Sequence, residues 1–292
     1  MKLVTFENGS SARVGVLDGD LVRDVTAVDD SLPTSLLGVV TAADGVLDRI
    51  RQATSAAPAV ALGDVTVHAP LPTPTGDVIA VGKNYPDHAK EFADSGFDAT
   101  EKEVLPSHPI IFGKSGSSII GTAAPIVSGN DPTGTTDYEG ELGVVIGREA
   151  RSVDPANALD HVFGFTIIND VTARELQSMH AQWFVGKSPD TFCPMGPCIV
   201  TADEFGDVGS ASLRTVVNGE VRQSYALADM IFDIPTVIAT LSAVMTLRPG
   251  VVIATGTGPG VGIGFDPPRF LRPGDVVDVT VDGIGTLSNP VV

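Results

Sequence analysis

From residue 78 onward the chain reads as one short apolar run after another, most of them closed by glycine or proline. "VIAVG" (78–82), "PIIFG" (109–113), "ELGVVIG" (141–147), "VFGFTII" (162–168), "VVIATG" (251–256) and "DVVDVTV" (275–281) are each too short for a buried helix and rich in β-branched residues. Asn218-Gly219, between the alternating arms of "LRTVVNGEVRQ" (213–223), predicts a two-residue hairpin, because a type I′ turn needs positive φ at both positions. Helical spacing is scarcer. Ile234, Val237, Ile238, Leu241, Val244 and Met245 form one stripe behind Asp233 as N-cap, which predicts a core helix without chemistry. Shorter helices are expected over 154–162 and 171–180. Strands that do not alternate with helices exclude a doubly wound parallel sheet and leave a strand-rich α+β fold.

Residues 1–70 read differently. Strand-like "KLVTF" and "RVGVL" precede helical segments around 35–54, and "HAPLPTPTGD" (68–77) reads as an extended linker. The expectation is a small N-terminal α/β domain over 1–70 and a catalytic-sized domain over 71–292, within the span one or two domains need. A formal net charge of −18 should repel phosphate backbones and anionic lipid, so nucleic-acid and membrane partners are not expected. No apolar run approaches the ~18 residues of a membrane span, and the N-terminus lacks the apolar stretch of a signal peptide. Cys193 and Cys198, alone in "FCPMGPC", suit neither zinc nor a disulfide framework and read as reduced thiols. A cytoplasmic location follows as the expectation.

Chemistry concentrates in "TTDYEGELGVVIGRE" (135–149). Glu139 and Glu141 share one face of a strand, about 7 Å apart. Buried, they would need a cation, a basic side chain or a proton, because an unpaired buried charge costs several kcal/mol. Taken alone, the pair reads first as an exposed edge before the strand dives inward. Asp170, closing the run "FGFTIIND", reads either as a helix N-cap or as a third ligand at a strand end. Three carboxylates from two strands are the donor set of a catalytic Mg2+ or Mn2+ site. In "GKNYPDHAKEF" His88 and Glu91 stand at i, i+3, so a helix brings them together as a general-base pair or as an inconsequential surface pair. The polar stretch 93–107 reads as a segment able to close over a site. Lys114 and Lys187, each between Gly and Ser, either approach an anionic ligand or extend at a strand end. The glycines of "ATGTGPGVGIG" (254–264) recur every second residue, which matches no dinucleotide fingerprint. Thr255, Thr257 and the loop amides remain candidates to hold a carboxylate.

These pieces together resemble the fumarylacetoacetate hydrolase superfamily, in its bacterial group of acylpyruvate and 2-oxo-acid enzymes. "GKNYPDHAKE", "PIIFGKSGSSIIG", "DYEGELGVVIG", "GFTIINDVTARELQ", "GKSPDTFCPMGP", "VNGEVRQ" and "LRPGVVIATGT…GVG" run in the family's order from about 79 to 287. The resemblance implies a mixed β-roll catalytic domain, a homodimer, and Mg2+ or Mn2+ held by Glu139, Glu141 and Asp170. It implies that His88 with Glu91 activates water or moves a proton, and that Lys187 stabilises a carboxylate or oxyanion. Lys114, Arg174, Gln177 and Thr257 match further binding positions. The implied reaction is metal-dependent C–C bond cleavage in a 2,4-dioxo acid, with oxaloacetate-type decarboxylation or dienol isomerisation as alternatives, and a catalytically idle metal-binding relative as an alternative of another class. Two departures stand out: Thr255-Gly256-Thr257-Gly258 with Pro259 displaced by one, and Ser115 where proline is common.

Overall fold

The computed structural model of the chain describes residues 1–9, 11–42, 44–97, 104–180 and 182–292. Of the segment expected to close over a site, 98–103 lies outside the described residues. The fold is strand-rich α+β. Its larger sheet follows the order Ala59–Ala61, Leu21–Asp24, Arg13–Asp18, Lys2–Glu7, Cys193–Thr201, Val162–Asn169, Gly140–Ile146, Val252–Ala254, Val78–Gly82 and Ile110–Lys114. Neighbours along this path are antiparallel except Val252–Ala254 with Val78–Gly82, which makes the sheet mixed. Gly140–Ile146 is buried at every position, and Val162–Asn169 and Cys193–Thr201 nearly so. That explains why these runs are apolar throughout rather than alternating: both faces of the central strands are covered.

The N-terminal strands join this sheet directly. Lys2 and Leu3 pair with Val200 and Ile199, and Leu3, Val14, Leu36 and Ile50 pack in one cluster with Val145, Ile168, Met195 and Val252. A second, antiparallel sheet of Glu220–Ala226, Ser212–Val217, Val276–Val281 and Gly285–Pro290 lies against the first. Its hairpin turns at Asn218 (φ 52°) and Gly219 (φ 81°), as the Asn-Gly pair requires.

Two helical expectations need correction. Residues 171–180 are not one helix: Thr172–Ala173 pair with Thr136–Asp137 as a short ladder, and the helix begins at Arg174. Over Pro155–His161 the helix is of the tighter 3-10 type. Asp233 does cap the helix Ile234–Val244 through the Thr236 N–H, and Ile234, Val237, Ile238 and Leu241 are buried. Val244 and Met245, expected in the same stripe, stand exposed because the helix ends there. Among the described residues no helix is long and apolar enough to cross a membrane.

Both cysteines are unpaired and buried, and burial pushes each thiol up to about 12. The thiolate is the reactive form, so neither should react with a thiol reagent at pH 8 until the protein unfolds. Labelling followed by mass spectrometry, with and without denaturant, checks this; rapid labelling of the native protein would contradict the packing around Cys193 and Cys198.

Candidate metal centre and active site

The site begins where the two central strands end. Gly140 pairs with Asn169, which sets Glu139 beside Asp170. The Asp170 N–H donates to the Glu139 carbonyl (2.8 Å) and the Glu139 N–H to Asn169 Oδ1 (3.0 Å), so the two ligand-bearing backbones lock together. Carboxylate oxygens of Glu139, Glu141 and Asp170 all lie within 4.8 Å of one another, and all three residues are buried. The exposed-edge alternative for the glutamates is thereby removed. Asp170 is no N-cap either, since Ala173 holds that position.

Three basic side chains converge on these acids. Lys187 Nζ bridges Glu139 Oε2 and Asp170 Oδ2, at 2.7 Å each. Lys114 pairs with Asp170 Oδ1 at 2.7 Å and donates to the Val171 and Lys187 carbonyls. Arg174 reaches Glu139 Oε1 (2.6 Å) and Asp137 Oδ2 (2.8 Å). Asp137, Glu139 and Asp170 thus share these three bases, and a fourth buried base, Lys83, lines the cavity beside them. The odd one out is Glu141, whose one polar contact among the described residues is the Gly256 N–H at 2.8 Å. Burial, then the neighbouring Asp170 and Glu139, push Glu141 well above the usual carboxylate range. Burial would also raise Glu139, but Lys187 and Arg174 outweigh it and hold that group at about 2. Three converging carboxylates, one of them without an ion pair to these three bases, are oxygen donors that fit a hard divalent cation.

The helix Pro86–Asp94 supplies the second half of the site. Pro86 occupies its first turn, where no amide hydrogen is needed. One turn on, His88 Nδ1 meets Glu91 Oε2 at 3.2 Å, and Glu91 Oε1 accepts the Gly260 N–H at 2.9 Å. A carboxylate on Nδ1 leaves Nε2 as the basic nitrogen. His88, Glu139, Glu141, Arg174, Gln177, Lys187 and Thr257 line one cavity. Asp170, Lys114 and Glu91 stand behind its wall, each touching a residue that does line it.

The period-two glycine loop has a different job from the one expected. Its amides do receive carboxylates, but the protein's own: Gly256 binds Glu141, Gly260 binds Glu91, and Gly262 and Ile263 bind Asp137. One loop therefore aligns a candidate metal ligand, the partner of the candidate base and the anchor of Arg174. Gly260 must be glycine: its φ is +99° and a Cβ would lie 2.0 Å from the Arg222 carbonyl.

Sequence reasoning missed Asp137, Lys83, Phe92, Phe112 and Trp183. Asp137 stands two residues before Glu139 and is wholly buried, yet adjacent acids carry no signal of which one turns inward. The other four join the cavity wall; Trp183 packs edge-on against both phenylalanines, at 5.9 and 5.3 Å between ring centres. Three elements far apart in sequence meet there, so no local pattern could have shown it.

The family model for the fumarylacetoacetate (FAA) hydrolase C-terminal region matches residues 77–292. Oxaloacetate tautomerase YisK of Bacillus subtilis is 42% identical over 307 aligned positions that cover all of both chains. Among solved structures, a fumarylacetoacetate hydrolase of Exiguobacterium antarcticum superposes with a TM-score of 0.84 at 44% identity, over 100% of this chain and 99% of that one. Maleylpyruvate hydrolase of Sphingobium sp. SYK-6, in complex with manganese(II) and pyruvate, gives 0.81 at 31% identity over 100% and 99%.

Proposed function

The chain belongs to the fumarylacetoacetate hydrolase family and is an enzyme; from that premise and the site geometry we propose that it interconverts the keto and enol forms of a small 2-oxo diacid of the oxaloacetate type. Mg2+ or Mn2+ at Glu139, Glu141 and Asp170 is part of this proposal, as is assembly as a homodimer. The observation that carries it is the shared cavity: an imidazole already oriented by a carboxylate faces the same space as two of the three ligand carboxylates.

His88 Nε2 takes a proton from the carbon next to the keto group, and that proton or another is returned to the keto oxygen. Glu91 stabilises the imidazolium meanwhile, and general acid–base catalysis of this kind contributes roughly 10²–10⁴-fold. When bound, the cation supplies Lewis-acid stabilisation of the negative charge that develops on the oxygen. Lys187 donates to the same oxygen or to the substrate carboxylate. Gln177 and Thr257, both on the cavity wall, orient the substrate. Arg174 and Lys114 are occupied by Asp137, Glu139 and Asp170, so their part is to hold ligand carboxylates in place.

Similarity to the tautomerase over the whole of both chains supports this reaction. Hydrolysis is the second reading: the same His88–Glu91 pair activates water to attack the distal carbonyl of a 2,4-dioxo acid, and the resemblance to maleylpyruvate hydrolase favours it. A substrate panel with Mg2+ and Mn2+ separates the two. Faster loss of enol absorbance from oxaloacetate, without pyruvate release, is the expected result. Pyruvate released from acylpyruvates, with no effect on the enol, would replace tautomerisation by hydrolysis, and pyruvate released from oxaloacetate would replace it by decarboxylation.

A further inference from the structure

The backbone of Gly140 lies between two candidate ligands, and side chains hold it from both sides. Its N–H donates to Gln223 Oε1 at 3.1 Å, and its carbonyl accepts from Tyr225 Oη at 2.6 Å and Thr257 Oγ1 at 2.8 Å. Gln223 Nε2 donates in turn to Thr257 Oγ1 (2.8 Å) and to the Gly258 carbonyl (2.9 Å). The bonds close into a ring: Gly140 N–H to Gln223, Gln223 to Thr257, Thr257 back to the Gly140 carbonyl. The Gly258 carbonyl can only accept, which fixes the orientation of the Gln223 amide.

We propose that Gln223 and Tyr225 are positioning residues that set the separation of Glu139 and Glu141 by clamping the Gly140 peptide. Three observations converge. Glycine is the residue whose backbone has most freedom to rotate, and rotation about φ or ψ of Gly140 would swing Glu139 and Glu141 relative to each other. Glycine is nonetheless obligatory, because a Cβ would lie 2.5 Å from Thr215 Oγ1 and 2.9 Å from Val279. The clamp restores the rigidity that the glycine gives up. Gln223 and Tyr225, two apart on the strand Glu220–Ala226, point to one buried face of the second sheet, while Ser224 between them is exposed. Neither lines the cavity, so neither is placed to touch substrate. The second sheet thus orients the ligands of a site to which it contributes no cavity-lining residue.

The inference rests on the metal reading above, and manganese alone is the probe. Free Mn2+ is followed by electron paramagnetic resonance while it is titrated into the full chain, wild type and variants. Gln223→Met keeps the volume and removes the amide; Tyr225→Phe removes one hydroxyl and keeps the ring that packs edge-on against Tyr85, 4.7 Å between centres. Loss of a partner that orients a metal ligand typically weakens the site about 10–100-fold. Each variant should raise the Mn2+ dissociation constant by about that factor, Tyr225→Phe with a metal-free melting temperature close to wild type, and Ser224→Ala should change nothing. An unchanged dissociation constant in Tyr225→Phe overturns the proposal, even where Gln223→Met fails to fold. Absence of Mn2+ binding by the wild type overturns the metal reading, and this inference with it; wild-type binding matched by both variants overturns this inference alone.

Discussion

Replacing His88 by alanine should lower kcat by about 10²–10⁴-fold while leaving the metal-induced rise in melting temperature intact. The imidazole is buried on the helix Pro86–Asp94, which by itself points to a loss of stability instead. Two facts argue otherwise. Alanine favours the helix, and Glu91 keeps the Gly260 N–H as partner after the imidazole is gone. The loss then falls on proton transfer rather than on architecture. Glu91→Gln should be milder, because the amide oxygen can still accept from Gly260 while the charge that steadies the imidazolium is lost. Steady-state kinetics on the productive substrate, beside melting curves with Mn2+, tests both. A drop of less than tenfold in His88→Ala would remove His88 as the proton carrier.

The second large effect concerns Glu141, where sign matters as much as size. Of the three candidate ligands, Glu141 is the one without an ion pair among the described residues, and burial with its acidic neighbours holds its affinity for a proton high. Glu141→Gln removes that unpaired charge and keeps an oxygen for the Gly256 N–H. The metal-free variant should therefore melt at or above the wild-type temperature. In the wild type, metal at about a hundred times its dissociation constant should add roughly 2.7 kcal/mol of stability; in the variant most of that gain should vanish, along with activity. Glu139→Gln should behave in the opposite sense without metal. Its carboxylate answers Lys187 and Arg174, so removing the charge leaves Lys187 to Asp170 alone and Arg174 to Asp137 alone, and the metal-free variant should melt below the wild type. Calorimetry of the three proteins with and without Mn2+ decides. Equal metal stabilisation in wild type and Glu141→Gln would end the assignment of Glu141 as a ligand.

The candidate site was legible where its chemistry is local. His88 and Glu91 lie one helical turn apart, and Glu139 and Glu141 flank a single glycine, so their pairing needs only the periodicity of helix and strand. Asp170 could be nominated from its place at the end of an apolar run. Lys114 was harder: a lysine between glycine and serine can face a ligand or serve behind one, and here it is fully buried against Asp170. The glycine loop was expected to hold a ligand's carboxylate, but its amides hold Glu141, Glu91 and Asp137, brought from three separate segments.

The sequence alone determined that this chain makes a strand-rich fold, that its hairpin turns at Asn218-Gly219, that one helix starts after Asp233, and which acids and histidine are candidates for chemistry. Each of these depends on contacts within a few residues, where side-chain period, cap and turn leave a local signature. Tertiary structure decided which charges are paired, because the meeting of buried bases with buried acids is a property of the assembled site. It also decided that the second sheet reaches in with Gln223 and Tyr225 to hold Gly140, some 83 and 85 residues away along the chain. A glutamine and a tyrosine on a hairpin strand look like any half-buried pair until the strand they press against is known.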